Sequence, residues 1–429
     1  VRKVFWILLL IGILASFTTT AKTVLVIQTH WSDFQVNGIL DKNGNLVYPG
    51  LKQYIDEYTK LNPDVEIQIR EVPFDNYLQQ LLVSHMAGKA ADIYDLYSLW
   101  AVQLVNSKIL DIPPSDILNG VKNDFVSASV KGATIDGKIW GIPSEIDNYA
   151  LIYNKKLLTE AGYSEPPKTW AELIKMAPKL TKYDEKGAIT QYGFAFLSGW
   201  DSAVVHPYLS LLYSLGGAMF SADYTECLVN NPLGVEALNE ELALFKEKAT
   251  NSAGSVFDFP HNTVAMMIMA PWYVSSLKQA YGDKYDEYVG IEPIPPVKNP
   301  ATVAYTWFFG VDNASKNKVA AWDFLKWFAL QVQPNTNTTR AGDLEVNVIS
   351  VIPPNKADLE NHLAQLADLK VFIDQLKNSV QEPNVMQGAQ IKTILMDQIV
   401  AAWNGQVTAQ QALDNAVRKI NPILSRYYH

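Results

Sequence analysis

The stretch GKIWGIPSEIDNYALIYNKKLLTEAG, Gly137–Gly162, sets Glu145 and Asp147 two residues apart just before the apolar run Ala150–Tyr153. On an extended segment the two carboxylates share one face about 7 Å apart, twice the strand rise of about 3.4 Å. That spacing falls near the roughly 6.5–9.5 Å of inverting glycosidases. A glycosidase needs its acids to flank the scissile bond, and neighbours on one strand approach a sugar from one side. They suit a ligand clamp better than a catalytic pair. Asp33 or Asp201 could supply an opposing acid, so hydrolysis stays open as an alternative.

Other chemistries leave no mark. The sequence has no GxSxG, HExxH, CxxC or Walker-type loop, and no glycine-rich phosphate cradle follows a strand. Its six histidines are scattered with no i, i+4 pair, so neither a metal site nor a cofactor is expected. His85 falls on an apolar helix face and reads as a satisfied core residue. His206 follows GWDSAVV, within reach of a cleft, but packing is the favoured reading. The single cysteine, Cys227, has no base beside it and reads as a packed residue.

The elements that must position the acids follow from periodicity. KTVLVIQTHW is a β-branched run ending at Trp31. Leu51, Tyr54, Ile55, Tyr58 and Leu61 recur at helical spacing, VEIQIREV alternates as a strand, and Tyr77, Leu78, Leu81 and Leu82 mark a second helix. With ADIYDLY as a third strand, the order implies right-handed crossovers and a parallel sheet covered by helices. Ligands of such sheets sit beyond the carboxyl ends of the strands, here Trp31-Ser32-Asp33 and Tyr97-Ser98 with Trp100. Asp136-Gly137 predicts a hairpin turn, and Thr169 with Glu172 a capping box. A second alternation runs from Tyr149, and IEPIPPVKNP is a stiff connector before the strand VAYTWFFGV and the helix Ala320–Leu330. The simplest layout is two α/β lobes joined by more than one crossing, each built from non-contiguous segments.

At 429 residues with 48% apolar residues, the chain has ample core for two domains. The first residues, VRKVFWILLLIGILASFTTTA, have the basic start, apolar stretch and small-residue end of a secretory signal, read as residues 1–21. An uncleaved anchor is the rival reading. Val1 fits a bacterial non-AUG start, and no cysteine follows Thr18–Ala21 to carry lipid. Without Arg2 and Lys3 the formal charge moves from −9 to −11, and no basic cluster offsets it, so nucleic acid is a poor partner.

Several stretches together carry a resemblance. GKIWGIPSEIDNYALIYNKKLLTEAG and PPKTWAEL resemble the signature region of family 1 extracellular solute-binding proteins, the maltose-binding-protein-like receptors of ABC importers. YPGLKQYIDEYTKLNPDVEIQIREVPFDNYLQQLLVSHMAGKAADIY is similar to their first helix–strand–helix–strand block. AMMIMAPWYVSSL is similar to their Met-plus-Trp segment, and FGVDNASKNKVAAWDFLKWF to their late strand–helix unit. AAWNGQVTAQQALDNAVRKIN resembles their closing helix. The likeness covers the mature chain in the same order. KAAD lacks the family's proline, and DKNGNLVYPG looks like an added hairpin.

The resemblance implies a two-lobe α/β fold of the periplasmic-binding-protein type, each lobe a mixed, mostly parallel sheet flanked by helices, with a hinge between. Residues 22–131 and 296–338 are expected to form one lobe, and 132–295 with 339–429 the other. Trp31, Ser32 and Asp33 match the family's first cleft loop, and Tyr97, Ser98 and Trp100 the loop after its third strand. Asp147 matches a cleft carboxylate that accepts ligand hydroxyls, with Glu145 and Asn148 beside it. Trp272 matches an aromatic platform, and Trp200, Asp201, Tyr305 and Trp307 complete the expected set. The implied function is an extracytoplasmic, monomeric, non-enzymatic receptor that closes on a carbohydrate and hands it to ABC permease subunits. Flat aromatics would cover pyranose C–H faces while carboxylates accept hydroxyl protons. A polyamine receptor could use the same acids and aromatics through cation–π contact.

Overall fold

The computed structural model describes residues 22–429; the expected signal segment, 1–21, lies outside the described residues. Strand β1 (Thr23–Thr29) leads to the short helix α1 (Asp33–Asn37) and the hairpin Ile39–Leu40/Leu46–Tyr48 within DKNGNLVYPG. Helix α2 (Leu51–Leu61) buries Leu51, Tyr54, Ile55 and Tyr58, the apolar stripe of its sequence. Strand β2 (Val65–Glu71), helix α3 (Phe74–Met86), strand β3 (Ile93–Tyr97) and helix α4 (Ser98–Asn106) complete the first unit. Both β2 and β3 pair parallel to β1, as the strand–helix alternation predicts. On α3, His85 Nδ1 lies 3.0 Å from buried Asp312. Asp136 and Gly137 turn the hairpin Thr134–Ile135/Lys138–Ile139 with φ of 50° and 72°, as a two-residue I′ loop requires.

Strand β4 (Ile142–Asn148) runs into strand β5 (Ala150–Asn154) with Tyr149 alone between them. Helix α5 (Trp170–Leu180) is capped by Thr169, whose side chain accepts from the Glu172 amide, while Glu172 reaches back to the amide of Lys168. Helix α6 (Asp201–Ser214), strand β6 (Met266–Met269), helix α7 (Tyr273–Tyr281) and strand β7 (Val289–Glu292) follow. After them come strand β8 (Thr302–Val311), helix α8 (Lys318–Ala329), strand β9 (Ser379–Gln381), helix α9 (Gly388–Trp403) and helix α10 (Ala409–Leu424).

Two sheets result. The first has the order β9-β8-β3-β1-β2, with β4 on the other side of β8. The second, β6-β5-β7, is antiparallel and is extended by parallel bridges from Tyr192 and Ala195. Sheet membership corrects the expected lobe limits. Residues after 131 do not leave the first sheet, because Thr134–Ile139 is a local hairpin and β4 then pairs antiparallel with β8. The chain crosses at Tyr149. Likewise Ala341, Leu344, Val348 and Val351, expected in the second lobe, pack in the apolar cluster under the first sheet. Cys227 is buried, and burial pushes its thiol up to about 11.

Tyr149 is held by one side chain. Thr302 Oγ1 accepts from the Tyr149 amide at 3.1 Å and donates to the Tyr149 carbonyl at 2.8 Å. Both residues are buried, so no water stands ready to replace the hydroxyl. Thr302→Val, equal in shape, should therefore cost about 1–3 kcal/mol in urea unfolding, and Thr302→Ser clearly less.

Candidate ligand-binding cleft

A cavity of about 520 Å³ opens between the two sheets, beyond the carboxyl ends of β1 and β3. Residues after β1 form one wall. His30 stacks on Trp307 with ring centroids 4.4 Å apart, and burial lowers its pKa to about 4, which keeps the imidazole neutral. Trp31 sets its ring edge-on to Phe309, and Ser32 lies at the rim, where its amide donates to Gln35 Oε1 and starts α1. Asp33 is turned away, accepting from Asn37 Nδ2 in solvent, because it occupies the first turn of that helix.

Strand β8 lays Tyr305 and Trp307 on the cavity face, and Tyr97 stacks on Trp307 at 5.2 Å. Trp100 sits one layer deeper, against Tyr77 and Tyr97, and does not border the cavity. Ser98 opens α4 on the far side of the sheet, its hydroxyl accepting from the Thr306 amide at 3.4 Å.

The acid pair divides in a way opposite to expectation. Register places Glu145 opposite Trp307 and Asp147 opposite Tyr305. Glu145 borders the cavity, whereas Asp147 is fully buried beneath it. Asp147 accepts from the Ile352 amide at 3.1 Å and from the Tyr305 hydroxyl at 3.4 Å, so its oxygens are already engaged. Asn148 is likewise internal, donating to the Phe372 carbonyl. Glu145 is thus the acid of the pair that the cavity reaches, and Asp147 fastens the wall behind it.

Three further acids lie near Glu145: Asp95, Asp147 and Glu345. Burial first, then the charges of Asp147, Asp95 and Glu345, holds Glu145 well above the usual carboxylate range. Burial likewise raises Asp147 to about 8 and Asp95 to about 7, and holds Glu345 well up.

The opposite wall comes from the second lobe. Trp200 precedes α6 and meets Trp272, which precedes α7, with ring centroids 5.8 Å apart. Trp272 packs against all three apolar clusters of the molecule and so spans the two lobes. Asp201 stays outside the cavity lining, in the first turn of α6, where it accepts from the Ser202 hydroxyl.

The floor is where sequence reasoning missed most. Tyr149, Ser202 and His206 line it, with Phe74 and Phe257 at the sides and Ser275 and Ser276 from the first turns of α7. Beneath lies a buried ion pair, Lys392 Nζ to Glu382 Oε1 at 2.9 Å. Burial would raise Glu382, but Lys392 and His206 draw it below the usual carboxylate range. His206 reached the cleft in the sequence reading only as a minor alternative. Phe74 and Ser275 carried a usable signal, since Phe74 opens a helix and Ser275 sits in the first turn of one, each soon after a strand end. Among the described residues no cluster of three or more His, Cys, Asp or Glu could hold a metal ion. None of the described helices is long and apolar enough to cross a membrane.

Two α/β lobes, a connecting strand pair and an aromatic cavity between them define a cleft-type binding protein. The chain belongs to the bacterial extracellular solute-binding protein family, whose pattern it matches over residues 43–331. It is 28% identical over 401 residues to the maltodextrin-binding protein MdxE of Bacillus subtilis (strain 168), covering 88% of each. A putative binding protein of Brucella abortus (strain 2308) is 25% identical over 387 residues, 87% of this chain and 90% of the relative. The GacH receptor of Streptomyces glaucescens superposes with a TM-score of 0.78 at 20% identity, over 95% of this chain and 99% of that one.

The raised carboxyls have a sign that can be tested. An acid whose folded pKa exceeds its unfolded value near 4 costs nothing at low pH. It removes stability as pH climbs from about 4 toward the folded value, here near 7 to 8 for Asp95 and Asp147. Glu145→Gln removes one such group and its repulsion of the others. Its melting temperature should exceed that of the native protein by ~2–5 °C at pH 7.5 and by little at pH 4.5.

Proposed function

We propose that this protein is an extracytoplasmic receptor that binds a sugar, an oligosaccharide in particular, closes its lobes around it and delivers it to ABC-importer membrane subunits. The observation that carries this reading is the pairing of Glu145 with a cavity walled by Trp31, Trp200, Trp272 and Trp307. Flat indoles cover the C–H faces of a pyranose ring, and a carboxyl unengaged by protein meets its hydroxyl equator. Relatives named for maltodextrin, maltotriose and galactooligosaccharide binding support the sugar class. Contacts from both lobes favour the closed state once ligand is bound, so binding shifts the population toward it. Tyr149 and residues 293–301, which join the two sheets, act as parts of the hinge. The receptor works as a monomer and returns its ligand unchanged.

Calorimetric titration with maltotriose, cellotriose, mannotriose and a galactotriose, with spermidine alongside, tests the reading. At least one sugar should bind and shrink the radius of gyration in solution scattering. Chromatography after prolonged incubation should recover that sugar intact. Spermidine binding with no sugar bound would replace the sugar reading. Trp272→Ala should weaken the best sugar about ten-fold or more.

A further inference from the structure

Three side chains that border the cavity are held from behind. Tyr97 ends β3 of the first sheet, whereas Ser202 and His206 stand on α6, which follows Trp200 of the opposite wall. All three meet one buried ion pair. Glu382 Oε2 accepts from the Tyr97 hydroxyl, and Oε1 lies 2.7 Å from His206 Nε2 and 2.9 Å from Lys392 Nζ. Lys392 Nζ donates to Tyr97 Oη at 3.1 Å and to Ser202 Oγ at 2.8 Å, and lies 2.8 Å from His206 Nε2. Asp201 is the next acid, 3.9 Å from the ammonium.

Glu382 and Lys392 are 5% and 2% exposed, and neither lines the cavity. A ligand would meet the residues they hold and not the pair itself. The pair is fixed from outside the cleft. Glu382 follows β9, where its amide donates to the Ala304 carbonyl of β8 at 2.7 Å, and Lys392 belongs to α9. Stability alone gives no reason for an ion pair here, since apolar residues of similar volume are often as stable in an interior. What the charges add is direction: they make charge-assisted bonds to partners on two walls, and such bonds fix rotamers and spacing.

We infer that Glu382 and Lys392 are positioning residues of the binding site. By clasping Tyr97 of one wall to Ser202 and His206 of the other, they set the floor in its binding shape before ligand arrives. Less of the binding free energy is then lost to ordering side chains. The inference rests on the sugar-receptor reading above and adds to the site two residues that touch no sugar.

The probe is whichever of maltotriose, cellotriose, mannotriose and the galactotriose binds the native protein most tightly, measured by calorimetry beside thermal melting. Glu382→Gln strands the lysine charge and should lower both melting temperature and affinity. Glu382→Leu/Lys392→Met removes the pair without leaving a buried charge. It should melt within about 5 °C of the native protein and yet bind about ten-fold or more weakly. A merely structural pair would instead return affinity together with stability. Tyr97→Phe supplies a second readout. Alone it should weaken binding several-fold, but in the chain lacking the pair it should cost less than about two-fold more, because the pair acts through that hydroxyl. Native affinity in the folded double variant, or fully additive losses with Tyr97→Phe, overturns the inference and leaves the sugar reading standing. Should the double variant fail to fold, Glu382→Asp decides: it keeps the charge but withdraws the carboxylate by one methylene. It should bind at least about three-fold more weakly at a near-native melting temperature, and unchanged affinity there overturns the inference. Absence of binding by all four sugars overturns both readings.

Discussion

The register between β4 and β8 is the constraint on which the cleft depends. Side chains alternate faces with period two, so pairing Glu145 with Trp307 and Asp147 with Tyr305 puts all four on one face of the sheet. A slip of one residue would send both acids to the opposite face. The pairing irregularity after Trp307 lets β8 continue to Val311 along β3 without breaking that match. Because β8 also meets β9 at its start, one strand ties together three distant parts of the chain.

Around this strand the protein runs two electrostatic regimes a short distance apart. At the floor, opposite charges lie 2.9 Å apart and out of water, and the lysine is hydrogen-bonded to Tyr97 Oη, Ser202 Oγ and His206 Nε2 beside them. Breaking one partner of such a pair leaves an uncompensated buried charge, which is far costlier than the pair itself. At the wall, carboxyls gather with no cation to offset them, and their acidity is suppressed instead. The first arrangement fixes geometry through paired charge; the second is governed by burial, which suppresses charge.

How much of this was legible in the sequence depended on the range over which each signal acts. The parallel β1–β3 unit, the Thr169 cap and the Asp136-Gly137 turn are local patterns, and each is found where periodicity or turn chemistry put it. Trp31 and Tyr97 were legible as strand-end residues at a cleft. Alternation could tell that Glu145 and Asp147 share a face, but not which lies deeper; the Ile352 amide, 205 residues away, decides that. The floor was out of reach for the same reason. His206 meets Glu382 across 176 residues and Lys392 across 186, and no short-range pattern encodes a partner at such a distance.

Strand β8 also dictates when folding can finish. Its partner β3 leaves the ribosome roughly two hundred residues ahead of it and must wait for its neighbour in the sheet. A chain wired this way stays incomplete through most of its synthesis, which keeps it threadable for as long as it has a membrane to cross.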